Sequence, residues 1–167
     1  MILRITEPGV FQHPVLAGWL SKVCTHFSLP TYAPAYIPEI CARANTLVLL
    51  GLEAESLHAI LVIEPPSPLT LYPIITLGYN SGSAMLGRAL VDEAAAWCRQ
   101  RGITHCHGIN GSGKSDAAYE RLARSWGWQV ANRQAFMTFA VPPGEQDGPA
   151  VDTRTRVGLL PDEPMRG

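Results

Sequence analysis

Gly108-Ile-Asn-Gly-Ser-Gly-Lys-Ser115 is a full match to the phosphate-cradling pattern G-x-x-x-x-G-K-[ST], and its reading decides the fold. Locally the match fits. Ile103–Gly108 is a short strand-like run, and Asp116–Trp128 reads as a helix starting at Ser115. A strand, a glycine-rich turn and a helix N-terminus direct backbone N–H groups at a phosphate. Lys114 would add a charge and Ser115 a magnesium ligand. The rest of the chain does not fit. A nucleotide-hydrolysing domain of this kind needs later strands, one ending in an acidic residue that helps hold magnesium. After Ser115 only Gln134–Val141 reads as a strand. It runs into Pro142-Pro143, and the next acid is Glu145. What remains is too short to complete a parallel sheet with its crossover helices. The octapeptide is therefore read as a connecting turn with a helix cap; a bare anion-binding turn and a P-loop nucleotide binder are the alternatives.

Upstream of that turn, Asn80-Ser81-Gly82-Ser83 opens a long helix to about Arg101. Leu86, Leu90, Ala94 and Trp97 recur at helical spacing, with Val91 and Cys98 beside them, and Gly102 is a natural C-terminal stop. Earlier, Asn45–Glu53 and Leu57–Glu64 read as a hairpin about Ala54-Glu55-Ser56. Pro65-Pro66-Ser67-Pro68 stiffens the next connection. Leu69–Gly78 is a further strand with Pro73 inside it, which marks an edge, a bulge or a splayed position. At the start, Ile2–Thr6 reads as a strand, Glu7-Pro8-Gly9 breaks it, and Val10–Phe27 is a helix followed by a shorter one over Ile37–Ala44. The expected architecture is α/β (α+β), a mixed central sheet of about six strands flanked by about four helices. Residues 1–143 form the domain. Gly144–Gly167, rich in Pro, Gly and charge without periodicity, reads as an irregular tail. Its one apolar patch, Val157-Gly158-Leu159-Leu160, is a candidate contact for the domain or for a protein partner.

Composition agrees with one domain and an ordinary core: 167 residues, 47% of them apolar. A net charge of −1 offers no basic excess for a nucleic-acid backbone, so a nucleic-acid partner is not expected. The four cysteines lack C-x-x-C spacing, which fits a reduced, cytoplasmic setting. The N-terminus does not have the order of a signal peptide, and no apolar run reaches membrane-spanning length.

The order strand, two helices, three strands, long helix, strand, helix, strand resembles the Gcn5-related N-acetyltransferase (GNAT) superfamily. Leu86–Gly102, Leu-Gly-Arg-Ala-Leu-Val-Asp-Glu-Ala-Ala-Ala-Trp-Cys-Arg-Gln-Arg-Gly, resembles the family's long helix after its acyl-CoA loop. Arg124-Ser-Trp-Gly-Trp-Gln-Val resembles the segment before its last strand. The resemblance covers residues 69–141 closely and the first 68 by element order. It implies acetyl-CoA as cofactor, no metal, and a small-molecule or protein amine as acceptor. It also implies that the CoA pyrophosphate is taken by backbone N–H groups at the long helix's N-terminus, around Gly82, Ser83, Met85, Leu86, Gly87 and Arg88, with Leu77 and Tyr79 on the preceding strand and Asn110 after the fifth strand. The chain departs from the family's Arg/Gln-x-x-Gly-x-Gly/Ala signature: it reads Gly82-Ser-Ala-Met85-Leu-Gly87, and only the last glycine survives. The tyrosine that many members place four residues before the "G-F" glycine is Ala123 here. Tyr119 lies one turn earlier, about 6 Å along the helix.

Acyl transfer to an amine needs a polarised carbonyl, a base and an acid. A backbone N–H near Leu77 is the candidate for the first. Glu64 or His58, read as sharing a strand face with Ile60 and Val62, is the candidate base, and Tyr119 the acid. Each also reads blandly, as a solvated strand end or a core aromatic. His105 and His107 share a strand face without an evident third metal ligand. Tyr72 and Tyr79 flank the acyl channel. Two functional readings result: an acyl-CoA-dependent N-acyltransferase, and a catalytically silent GNAT-fold binding or structural component. Degenerate bacteriophage-encoded GNAT-like proteins are similar to the second, which would place the chain in a virion or its assembly. A phage-type nucleobase modifier is a third, disfavoured by the charge.

Overall fold

The structure is a computed structural model and describes residues 1–30, 32–68, 70–108, 115–132 and 137–144. Most of the phosphate-loop match, with Asn110 and Lys114, and the tail beyond Gly144 lie outside the described residues.

Among the described residues seven strands form one mixed sheet: β1 (Ile2–Ile5), β2 (Leu47–Glu53), β3 (Ser56–Glu64), β4 (Ile74–Asn80), β5 (His105–Gly108), β6 (Gln129–Asn132) and β7 (Met137–Ala140). Their order is β1-β2-β3-β4-β5-β7-β6, and only the β4–β5 pair is parallel. A 3-10 turn (Pro8–Gln12), α1 (Pro14–His26) and α2 (Ala33–Cys41) precede the sheet's centre; α3 (Ala84–Gln100) crosses between β4 and β5, and α4 (Asp116–Ser125) follows β5.

The alternation of β2 and β3 builds two cores. Leu47, Leu49, Leu61 and Ile63 point to one face and pack with Leu86, Leu90, Ala94 and Trp97 of α3. Val48, Leu50, Ile60 and Val62 point to the other and pack with Leu16, Leu20, Ile37 and Ile40 of α1 and α2. Both strands are therefore buried on both faces and read as unbroken apolar runs. The hairpin joining them turns on Ala54 and Glu55, both at positive φ (46° and 63°), which suits the right-handed twist of paired strands.

The long helix and its stop are as the spacing predicts: Gly102 sits at φ +66° just past α3. The mixed sheet and its flanking helices are as expected, with differences of detail. Among the described residues the sheet has seven strands against about six expected, because the segment ahead of the expected last strand is itself a strand. β6 is four residues with one half-buried apolar residue, Val130, too little for a period to show. β4 begins at Ile74, after Pro73, so the proline caps the strand rather than interrupting it; Thr70 is tied back to Ser67 in a turn. α1 begins at Pro14 and α2 at Ala33, with Pro38 inside α2. Pro14 and Pro34 lie in the first turn and lack only a donor that the turn leaves unused, whereas Pro38 lies further in and removes a helical donor.

Candidate functional site

The candidate site lies where β4 leaves the sheet. β4 pairs with β5 only at Ile74↔His107 and Ile75↔Gly108. Its last five residues, Thr76–Asn80, have no partner on that side among the described residues. On the other side the register with β3 skips: Val62 faces Leu77 and Ile63 faces Ile75, leaving Thr76 as an extra residue. This is a β-bulge, and it reverses which way the strand faces. Ile75 packs with the α3-side core, whereas Leu77 and Tyr79 belong to the α1/α2 side. Tyr79 meets Trp19, His26 and Phe27 edge-on, at centroid distances of 5.4 to 6.2 Å. Leu77 is buried, and it is the first residue beyond the bulge.

β4 runs directly into the start of α3, and that start is already furnished with partners. Ser83 is the N-cap, and its Oγ accepts from the Leu86 N–H at 3.1 Å. The Asn80 side chain accepts from the Gly82 N–H at 2.9 Å and donates to the Ser83 carbonyl at 3.0 Å. Glu53, from the far end of β2, accepts from the Ser83 N–H at 3.0 Å with one oxygen and from the Ser83 hydroxyl with the other. The two hydrogen bonds from Ser83, chiefly the hydroxyl's, hold the Glu53 carboxyl below its ordinary range; the nearby His58 and the N-terminal ammonium act in the same direction.

Both glycines of this segment make room for those side chains. A Cβ on Gly82 would sit 2.7 Å from Glu53 Oε2 and 3.0 Å from His58 Cβ; one on Gly87 would sit 2.7 Å from Asn80 Nδ2. Of the remaining expected cofactor contacts, Met85 projects into solvent with 83% exposure, and Leu86 is buried in the core. Arg88 pairs with Asp92 at 2.8 Å and reaches the Ser125 carbonyl of α4.

The two candidate bases are far apart. A second bulge, in β3, leaves His58 unpaired between Leu57 (opposite Leu52) and Ala59 (opposite Gly51). His58 therefore drops out of the alternation that would align it with Ile60, Val62 and Glu64. Its Nδ1 lies 3.4 Å from Ser81 Oγ, next to the α3 start. Glu64 is six residues along the strand, about 20 Å away at ~3.3 Å per residue, where Arg43 and the Tyr36 hydroxyl both reach it at 3.3 Å. Tyr119 packs edge-on to Phe139 on the α3/α4 side, 5.8 Å between centroids. Burial pushes its phenol pKa up, so it stays protonated. Ala123 packs against the same core. His107 Nδ1 lies 3.0 Å from Thr138 Oγ1, His105 Nδ1 lies 2.9 Å from Thr104 Oγ1, and Tyr72 meets the His105 ring tilted and the His107 ring edge-on. No group of three His, Cys, Asp or Glu gathers as a metal site among the described residues, and no helix among them is long and apolar enough to cross a membrane.

The residues of β4 and the α3 start thus come together as the order of elements implies, whereas Glu53 and Asn80 escape the sequence reading. Glu53 carries no local signal: it is thirty residues from its partner. Asn80, three residues before the helix cap, is a residue type that folds back on nearby backbone groups.

No protein-family profile matches the chain, and no curated protein matches it in sequence. Its architecture does have counterparts. It superposes on an aminoglycoside 6'-acetyltransferase type Ii with a TM-score of 0.61 at 12% identity, over 86% of this chain and 99% of that one. A GNAT-family acetyltransferase from Staphylococcus aureus Mu50 gives 0.59 at 10%, covering 84% and 99%. The PaiA N-acetyltransferase from Thermoplasma acidophilum, solved with coenzyme A, gives 0.56 at 11%, covering 86% and 99%. The chain thus has a GNAT-like fold, and in it a bulged fourth strand parts from a parallel fifth and leads into the helix that crosses the sheet.

Proposed function

We propose that the chain is an N-acyltransferase that takes its acyl group from an acyl-CoA such as acetyl-CoA and passes it to an amine of a small molecule or protein. One observation carries this reading: beyond the Thr76 bulge, β4 presents an edge with no β5 partner among the described residues, and that edge leads into the N-terminus of α3. An extended chain bearing amides can pair along such an edge.

The residues fit this donor in part. The strand edge and the α3 N–H groups suit a pantetheine arm and an anion, but Glu53 occupies part of the anion's place. When bound, the donor supplies an activated acyl carbonyl and a thiolate leaving group. On the protein's side, the Leu77 backbone N–H is the group to polarise a carbonyl just past the bulge. Tyr119, kept protonated by burial, is the proton donor. Of the two candidate bases, Glu64 is two residues along β3 from Val62, the residue opposite Leu77, and His58 is four. Glu64 is thus the nearer to that carbonyl, held by Arg43 and Tyr36, while His58 lies beside the α3 start.

A second reading has its own support. Glu53 at the α3 start and alanine at position 123 both suit a GNAT-fold binding or structural component without transferase activity, for instance in a phage particle or its assembly. The cytoplasm is the proposed location under the first reading and a virion under the second. A thermal-shift panel of acetyl-CoA, CoA and ATP separates them, because a ligand selective for the native state raises the melting temperature. The transferase reading expects a concentration-dependent rise with acetyl-CoA and CoA at millimolar levels, and none with ATP. A flat response to all three favours the binding component; a rise with ATP alone restores the phosphate-loop reading.

A further inference from the structure

We propose that Glu53 is a tethered anion that holds the start of α3 closed to phosphate, so that a donor carrying a pyrophosphate must expel this carboxylate before it can seat. The identity of the donor rests on the preceding reading; the occupancy by Glu53 does not.

Three observations converge. The carboxylate holds both hydrogen-bond donors of the N-cap residue, the Ser83 N–H and hydroxyl. These are donors that a helix N-terminus would otherwise turn toward an incoming anion. The space around it is cleared by Gly82, where any Cβ would collide with Glu53 Oε2. The glycine therefore serves the protein's own carboxylate in the position where a phosphate oxygen would need the same room. Finally, the next amide, Gly82 N–H, is spent on Asn80. The first-turn amides left without an intrahelical acceptor are those of Ala84 and Met85, since Ser83 Oγ takes that of Leu86.

The contact is also built to open. Glu53 is the last residue of β2, and its side chain is partly exposed beside the Ala54-Glu55 turn. Releasing it requires only a side-chain rotation into solvent, not a change in the sheet. While it stays, any second anion there meets a like charge at close range, and the tether gives Glu53 a high effective concentration against a free competitor. The charged and titratable groups facing it are His58 on β3 and the N-terminal ammonium.

The test uses the full chain and inorganic pyrophosphate as probe. Backbone amide NMR shifts of Ser83, Ala84 and Met85 are followed in the wild type and in Glu53→Ala. The variant is expected to bind pyrophosphate at least about tenfold more tightly, with the shifts confined to these amides. Equal affinity in the two proteins, or no binding in either, overturns the proposal. If Glu53→Ala loses cooperative melting, Glu53→Gln, which removes the charge and keeps the size, is judged by the same criterion. Titrating the same samples with CoA and with pantetheine then addresses the donor separately. A gain for pyrophosphate with no response to CoA or pantetheine leaves the role of Glu53 standing and removes the acyl-CoA reading.

Discussion

Two helices in this chain begin in nearly the same way. Ser83 and Ser115 are both extended N-caps, φ −66° and −63°, and each side chain accepts the amide three residues on, Leu86 at 3.1 Å and Ala118 at 3.3 Å. Both follow glycine-bearing stretches. The one before α4 carries a complete phosphate-loop match, and the one before α3 carries only a remnant of the acyl-CoA signature. What separates them is not in those stretches. α3 runs through the core with seven buried residues and receives a carboxylate from a strand thirty residues earlier; α4 lies half-exposed on the rim, with Glu120 its one residue classed as buried among those described. Whether a helix N-terminus is open to an anion is thus decided by the strand it happens to meet, and a local motif carries no information about that strand.

The difference in seating can be broken most directly from below. Leu90→Ala on α3 removes a side chain that is 4% exposed, and is expected to cost about 2–5 kcal/mol. Leu122→Ala on α4, where the side chain is half-buried, is expected to cost about 1 kcal/mol. Urea denaturation of the two variants measures the gap, and equal losses would mean that both helices are anchored alike. A smaller effect is expected at the caps. Ser83→Ala removes a hydroxyl that serves both Leu86 and Glu53, and should cost about 1–2 kcal/mol; Ser115→Ala removes the bond to the Ala118 amide and should cost about 0.5–1 kcal/mol.

The smallest effect is the most specific. The Glu53 carboxyl is held below its ordinary range in the folded protein. Its contribution to stability is therefore complete above the unfolded carboxylate pKa and is lost as pH falls through the lower, folded value. The wild type should melt above Glu53→Gln near pH 7, and the two curves should converge in acid, below the usual carboxylate range. A gap that persists unchanged into acid would show that the Ser83 contact does not depend on charge.

Much of this fold was legible in the chain, and the illegible parts share a cause. α3 is plain because Leu86, Leu90, Ala94 and Trp97 repeat on one face and Gly102 stops it. The β2–β3 hairpin is plain because two apolar runs flank a short polar turn. β6 is hidden because Gln129-Val-Ala-Asn has no length in which to show alternation. The start of α2 is blurred by two prolines: Pro34 serves as an early helical position, and Pro38 sits inside the helix. At the candidate site, the order of elements brings Leu77, Ser83 and Gly87 to one place. It says nothing of the His58 bulge, which separates that residue from Glu64's face, nor of Glu53. Bulges and cross-strand contacts depend on pairing partners, and pairing is not written in either strand alone.

The extra residue at Thr76 has a consequence for anyone who edits this strand. Deleting it would let β4 pair with β3 without interruption, Ile75 opposite Ile63 and Leu77 opposite Val62 as they are now, so Leu77 and Tyr79 would keep their places on the α1 side. What would go is the break itself: the local bend that an unpaired residue imposes on a strand would be lost where β4 parts from β5. The spare residue is thus dispensable for packing and needed for the parting of the strand, so its loss should leave the fold standing and close the candidate site.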